Sequence, residues 1–390
     1  MNKYAKLTPE GTGDLLFEEC EARRSVERSL SCLFKQRGYK KVITPTIEFF
    51  DVFNRPSAGF SPEDLYSMTD SFGRLLVLRA DSTMPIARIA ATRLRNESIP
   101  IRLYYTQNVF RRQQRFSGLN DESTQSGIEL IGVNGFKADV EVLTTAADAL
   151  SACGVSDYRI EIGHAEFFKA LASELNTDYE TISLLGEYIE AKNYGEVNDL
   201  LEKFGESNAA KAIRQLPHLF GGVEVITKAR ELCSSEEAIL ALDYLEKLLK
   251  EVENIVPEDK INIDLGLVHR SNYYTGVVFR GYIQGSGLTV LSGGRYDGLV
   301  AEFGKSLPSI GFGVDVDALA GALLTAGSIQ KTKPVDVLVF AADGYETKAM
   351  LKIRELNEQG FSCENCVFET EQEAITYAKQ KGIEKIEIIK

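Results

Sequence analysis

The sequence predicts an α+β fold in which a large mixed domain carries a helical insertion and is followed by a small α/β unit. Three observations carry this expectation. Strand-like runs and amphipathic helical stretches intermingle up to about residue 163 and again from Ile261 to about residue 325. Between about 165 and 256 helical periodicity dominates, punctuated by Gly195, Gly205, Pro217 and Gly221-Gly222. From Val335 onward strand and helix alternate, the pattern of a small parallel unit. At 390 residues there is room for two or three domains. The boundaries read as 1–325, a polar linker at 326–334, and a unit at 335–390.

Residues 18–37 read as a helix, with Cys20, Val26, Leu30, Leu33 and Phe34 on one face and Gly38 as the stop. Lys41 to Phe50 reads as extended, with Pro45 marking an edge or bend. Leu75–Arg79 is a short buried strand running into Asp81-Ser-Thr-Met-Pro85, where a capping oxygen and an early proline announce a helix through Leu94. Strands are expected at 101–111 and 126–133, a helix at 138–152 and a strand at 158–163. After the insertion, strands return at Ile261–Asp264, Tyr273–Tyr282 and Leu288–Leu291, the last two joined by Gly285-Ser-Gly287 as a hairpin. Gly311-Phe-Gly-Val-Asp-Val leads into a helix from about Ala318. The tail reads as strand 335–341, helix 345–358, strand 361–368, helix 370–381 and strand 383–389.

The net charge of −13 lacks the basic balance expected of a chain that grips nucleic acid. No apolar run approaches the ~20 residues that span a bilayer, so no membrane partner is expected. No apolar stretch follows the first lysines, so a cytoplasmic location is the default. The one close cysteine pair, Cys363 and Cys366, lacks two further zinc ligands nearby. With His164, His218 and His269 far apart, no metal centre is expected, and no nucleophile or phosphate-loop motif implies a catalytic site.

Five segments stand out. They are Thr8-Pro-Glu-Gly-Thr-Gly-Asp14, Leu78-Arg-Ala-Asp-Ser-Thr83, the strand–loop–strand from Tyr104 to Gly132, His269 to Phe279, and Gly293-Gly-Arg-Tyr-Asp-Gly298 with Gly311 to Ala318. In this order they resemble class II aminoacyl-tRNA synthetases of the histidyl type, over most of residues 7–325. The resemblance implies an antiparallel sheet with flanking helices and an amino-acid pocket beside an ATP pocket. It implies that Asp81 and Thr83 hold a substrate ammonium. Gln125 and Glu129, four apart in a strand, share one face and match pocket positions. Tyr273 and Tyr274 match the tyrosines around the imidazole, and Arg111 matches the α-phosphate arginine.

The ATP side departs from the family pattern. The adenine-reading acid becomes Gln113, the loop arginine Leu119, the third-motif arginine Ala318 and the arginine of the histidine segment His269. Arg270 is adjacent but in an extended segment would point the other way. Each lost electrostatic group costs ~10²–10³ in rate, so the resemblance implies no useful aminoacylation. Asp121-Glu122 would repel an acceptor stem, and acidic residues outnumber basic ones in the tail, which resembles a shortened anticodon-binding domain.

A histidyl-synthetase frame without ATP chemistry resembles the regulatory subunits of ATP phosphoribosyltransferase, the HisZ family. That resemblance implies a non-catalytic chain built on a homodimer core. Its partner would be a short-form HisG catalytic subunit, its effector histidine, and its process the first step of histidine biosynthesis. It implies no cofactor and no nucleic acid. The alternatives are an amino-acid-sensing or tRNA-binding paralogue and an active synthetase. A pocket for a histidine-like ligand is expected from Asp81, Thr83, Arg111, Gln125, Glu129, Tyr273 and Tyr274.

Overall fold

The computed structural model describes residues 3–55, 57–113, 118–205, 207–268, 273–284, 287–328 and 333–390. Two compact units emerge, Met1–Ile329 and Gln330–Lys390.

In the first unit, helix α1 (Glu18–Gln36) buries Ala22, Val26, Leu30 and Phe34 along one stripe. Short strands β1 (Lys40–Lys41) and β2 (Ile47–Phe49) follow, then β3 (Ser67–Thr69), β4 (Leu75–Leu78) and helix α2 (Thr83–Ala91). The long hairpin β5 (Ile101–Phe110) and β6 (Glu122–Ile131) precedes α3 (Phe136–Ala152) and β7 (Tyr158–His164). The insertion supplies α4 (Ala165–Ser173), α5 (Tyr179–Glu190), α6 (Tyr194–Leu201), α7 (Asn208–Gln215), β8 (Phe220–Gly221), α8 (Glu224–Leu232) and α9 (Glu236–Val252). β9 (Ile261–Asp264), β10 (Val277–Ile283), β11 (Thr289–Arg295), β12 (Ser309–Asp315) and α10 (Val316–Thr325) complete the unit.

Nine strands form one sheet in the order β1-β5-β6-β12-β11-β10-β7-β9-β8. It is antiparallel from β5 to β7, as expected, but β1 joins β5 and β7 joins β9 in parallel. Both parallel pairs need long crossovers: the β3–β4 segment with α2 in one case, the insertion in the other. The insertion is not purely helical, because β8 adds an edge strand to β9. The extended stretch expected over 41–50 divides into β1 and β2, and the strand expected from Tyr273 begins only at Val277. The core lies on both sheet faces. α1, α3 and the insertion helices cover one, and α2 with the β3–β4 region covers the other.

The three-strand sheet β2-β4-β3 has an uncovered apolar face. Phe49 pairs with Leu76 and Leu76 with Met68, while Ile47 pairs with Leu78. Directly opposed residues share a face, and Ile47, Phe49 and Met68 are exposed.

The second unit has β13 (Val337–Ala341) between β14 (Cys363–Asn365) and β15 (Lys385–Ile389), all parallel. Its helices are α11 (Glu346–Glu358) and α12 (Glu371–Lys381). The strand expected at 361–368 shrinks to three residues. A capping box between Thr370 and Glu373 opens α12, and Gly382 at φ 70° ends it.

Candidate functional site

The site is built where β4, α2, β6 and β12 meet. Arg79, at the end of β4, fixes this corner. Its guanidinium donates to the carbonyls of Thr44 and Pro45, both at 2.8 Å, and to that of Asn108. Asp81 follows, and its Oδ1 accepts from the Met84 N–H at 3.0 Å, opening α2. Burial raises the Asp81 carboxyl above its usual range, opposed by the charge of Arg111. Arg111 in turn donates from Nε to the Ala80 carbonyl at 2.7 Å and lies 4.8 Å over the Phe60 ring.

The floor comes from β6 and β12. Gln125 and Glu129 point from β6 into the same space, and the Gln125 Oε1 accepts from the Ser82 N–H at 3.2 Å. Glu129 sits opposite Gly311 across the ladder. A Cβ at Gly311 would collide with the Glu129 carboxylate, and one at Gly313 with the Gln125 side chain. The Gly-Phe-Gly run therefore makes room for two polar side chains.

Glu129 is 1% exposed. Thr83 donates from Oγ1 to its Oε1 at 2.8 Å, and Tyr296 donates to its Oε2. Burial pushes this carboxyl up to about 8; the two hydroxyls oppose the rise and the Asp81 charge adds to it. Tyr273 and Tyr274 stand 4.5 Å apart at 51°, and Tyr273 meets Tyr296 edge-on at 5.7 Å.

A cavity of about 280 Å³ is lined by Asp81, Thr83, Arg111, Gln125, Glu129, Tyr273 and Tyr274 together. All seven residues expected from the sequence meet here. Tyr296, Arg112, Asp64, Phe60 and Glu190 also line it and were not expected. Tyr296 stood in view inside Gly293-Gly-Arg-Tyr-Asp-Gly298. Glu190 arrives from the insertion at the end of α5, held by Arg280 at 2.8 Å, and no local pattern announces it. Arg295, next to Tyr296, turns the other way. It donates from Nε to the buried Asp139 at 2.9 Å, and the Tyr244 hydroxyl donates to the same carboxylate.

A second cavity of about 1120 Å³ adjoins the first and shares Arg111, Gln113, Gln125, Ser292 and Gly313 with it. Leu119 and Ala318 line it, with Asp121, Asp315 and Asp317. Among its described lining residues Arg111 is the one cation. His269 and Arg270 lie outside the described residues. Asp121 is not simply a repulsive surface charge. It accepts from the Gln113 N–H at 2.8 Å and from the Tyr66 hydroxyl, and its own N–H donates to the Gly11 carbonyl at 2.7 Å. Glu122 likewise accepts from Asn108 at 2.6 Å. The Asp121 carboxylate fastens the loop at Gln113, and its backbone N–H ties down the N-terminal segment at Gly11.

Among the described residues no helix is long and apolar enough to cross a membrane. The chain matches the histidyl-tRNA synthetase family model over residues 11–319. It is 42% identical to the ATP phosphoribosyltransferase regulatory subunit of Clostridium kluyveri, over 100% of both chains. It is 40% identical to that of Clostridium acetobutylicum, over 99% of this chain and 96% of the relative. A solved structure described as an ATP phosphoribosyltransferase regulatory subunit/histidyl-tRNA synthetase from Bacillus halodurans superposes with a TM-score of 0.86. It shares 28% identity and covers 99% of this chain and 98% of its own. The histidyl-tRNA synthetase of Nostoc sp. PCC 7120, at 23% identity and a TM-score of 0.80 over 98% and 90%, shares the fold. The chain belongs to the histidyl-tRNA synthetase family and, within it, to the ATP phosphoribosyltransferase regulatory subunits.

Proposed function

We propose that this chain is the non-catalytic, cytoplasmic regulatory subunit of an ATP phosphoribosyltransferase, binding histidine in the cavity around Glu129 and conveying its level to a separate catalytic subunit. The observation that carries this reading is the unequal fate of two adjoining cavities. The amino-acid cavity holds all its expected groups, whereas the adjoining cleft has Arg111 as the one cation among its described lining residues, fewer than phosphate chemistry needs. In the proposed pose, Asp81 and Glu129 face the ammonium and an imidazole N–H, the tyrosines wall the ring, and Arg111 meets the carboxylate. A charged partner in such a site is worth ~1.5–3 kcal/mol.

The catalytic partner in this reading is a short-form HisG, and inhibition follows if histidine binds one state of the complex more tightly than the other. The core is a homodimer. The uncovered apolar face of β2-β4-β3 supports a self-complementary contact, since such faces mark interaction surfaces and two-fold closure is the commonest symmetry. Phe49→Glu is expected to convert a dimer to a monomer in sedimentation; a dimer unaffected by that change argues for another surface.

Reconstitution tests the function. The short catalytic subunit should be active with this chain and inactive without it, and histidine should inhibit the pair. Full activity of the catalytic subunit alone, or no loss on adding histidine, counts against the reading.

A further inference from the structure

Glu129 is an unusual contact for a binding site. It lies at the bottom of the cavity with both carboxyl oxygens engaged, one by the Thr83 hydroxyl at the start of α2 and one by the Tyr296 hydroxyl beyond β11. Neither donor carries a charge. The groups that face it from neighbouring elements are the Asp81 carboxyl and the phenols of Tyr105, Tyr273, Tyr274 and Tyr296. The cations Arg111 and Arg112 stand at the cavity wall near Asp81 and Asp64, and neither forms an ion pair or hydrogen bond with Glu129.

From this geometry we propose that Thr83, Glu129 and Tyr296 form a charge-selective reader, in which a cationic N–H of the ligand replaces the proton of Glu129. The inference rests on the cavity being the histidine site. A carboxyl buried beside a second carboxyl, with no cation among the described residues paired to it, is held as the neutral acid even against its two hydroxyl donors. Its elevation to about 8 agrees with that state at neutral pH. A ligand ammonium or imidazolium placed against it favours the carboxylate. The exchange is balanced: Glu129–COOH and ligand N⁺–H become Glu129–COO⁻ hydrogen-bonded to ligand N⁺–H, and one proton passes to the buffer. No bond other than the O–H is broken and no electrons are transferred. A neutral group of similar size cannot drive this release, so the reader selects cationic amino compounds over their uncharged isosteres. Affinity for such ligands should rise with pH until Glu129 is already ionised.

The test is calorimetric titration of the full chain with L-histidine at pH 7 in two buffers of different ionisation enthalpy. The parent should release close to one proton per site, as linkage requires for a group whose pKa falls on binding. Glu129→Gln keeps the shape and should lose that release while binding about tenfold or more weakly. Tyr296→Phe should weaken binding about tenfold and keep the release. If the parent releases no proton while Glu129→Gln still weakens binding, the proton exchange is wrong and the pocket stands. If Glu129→Gln binds as tightly as the parent, or the chain binds no histidine, the pocket reading fails and this inference with it. If Glu129→Gln keeps the release, the proton comes from another group and the reader is not Glu129.

Discussion

The two adjoining cavities share a wall and five residues, yet their chemistry diverges. In the smaller one three central polar side chains are each held by another group: Asp81 by Met84, Gln125 by Ser82, Glu129 by Thr83 and Tyr296. In the larger one the carboxylates Asp315 and Asp317 serve the structure, capping α10 and accepting from Thr124, and apolar Leu119 and Ala318 stand where phosphate chemistry wants cations. The difference teaches that the side chains suited to holding an amino acid and those suited to activating it can diverge across a boundary a few residues wide. Recognition of an amino acid uses groups fixed on strands and a helix start. Activation also needs charge aimed at a developing transition state, and among the described residues lining the larger cavity Arg111 is the one cation.

The largest expected effect is on the cleft. The chain should form no histidyl-adenylate, with pyrophosphate exchange depressed by ~10⁴-fold or more, since each missing charge removes ~10²–10³. Exchange at a rate typical of synthetases breaks the comparison outright. The next effect is on the smaller cavity. Asp81→Ala should weaken histidine binding by ~10–100-fold. It also removes the acceptor that opens α2, so a stability loss of about 1 kcal/mol should accompany it in thermal melts. A loss of stability with affinity unchanged assigns Asp81 a purely structural role.

A third prediction concerns pH. The Glu129 carboxyl titrates at about 8 in the folded chain, well above its ordinary value near 4.5. Between those values the folded state holds a proton that the unfolded chain has lost. Stability should therefore fall as pH rises across that window, by at most about 1.4 kcal/mol per pH unit from this group. Glu129→Gln should flatten that decline in melts at pH 5 and pH 8, and a parent as stable at pH 8 as at pH 5 contradicts it. The smallest effect is on the tail. Ending the chain after residue 329 should leave histidine affinity within about twofold, because the second unit has its own sheet and core. Aggregation of the shortened chain would show that the tail supports the first unit.

Much of the site was legible in the sequence because its residues lie in short, regular elements. Gln125 and Glu129 follow from strand period, and Asp81 with Thr83 from a helix start. The seven residues then converge because the motifs they belong to resemble one family in order. What was not legible depends on contacts distant in sequence. Glu190 reaches the cavity from the insertion through its pairing with Arg280. Tyr296 turns inward to the buried Glu129 while its neighbour Arg295 turns the other way to Asp139 on α3. From the sequence Asp121 reads as a charge that would repel an acceptor stem, and only the fold brings Tyr66 and Gly11 to it. The parallel pairing of β1 with β5 and of β9 with β7 was likewise hidden, since strand patterns do not encode the direction of a neighbour.

The central claim is that the smaller cavity is a live histidine site beside a dead nucleotide cleft. The most direct measurement is equilibrium binding of histidine to the full chain and to Glu129→Ala, with and without ATP. The account predicts saturable binding by the parent, a Kd ~10–100-fold weaker for the variant, and no response of either to ATP. Equal affinity of parent and variant, or a histidine affinity that ATP strengthens, would contradict it.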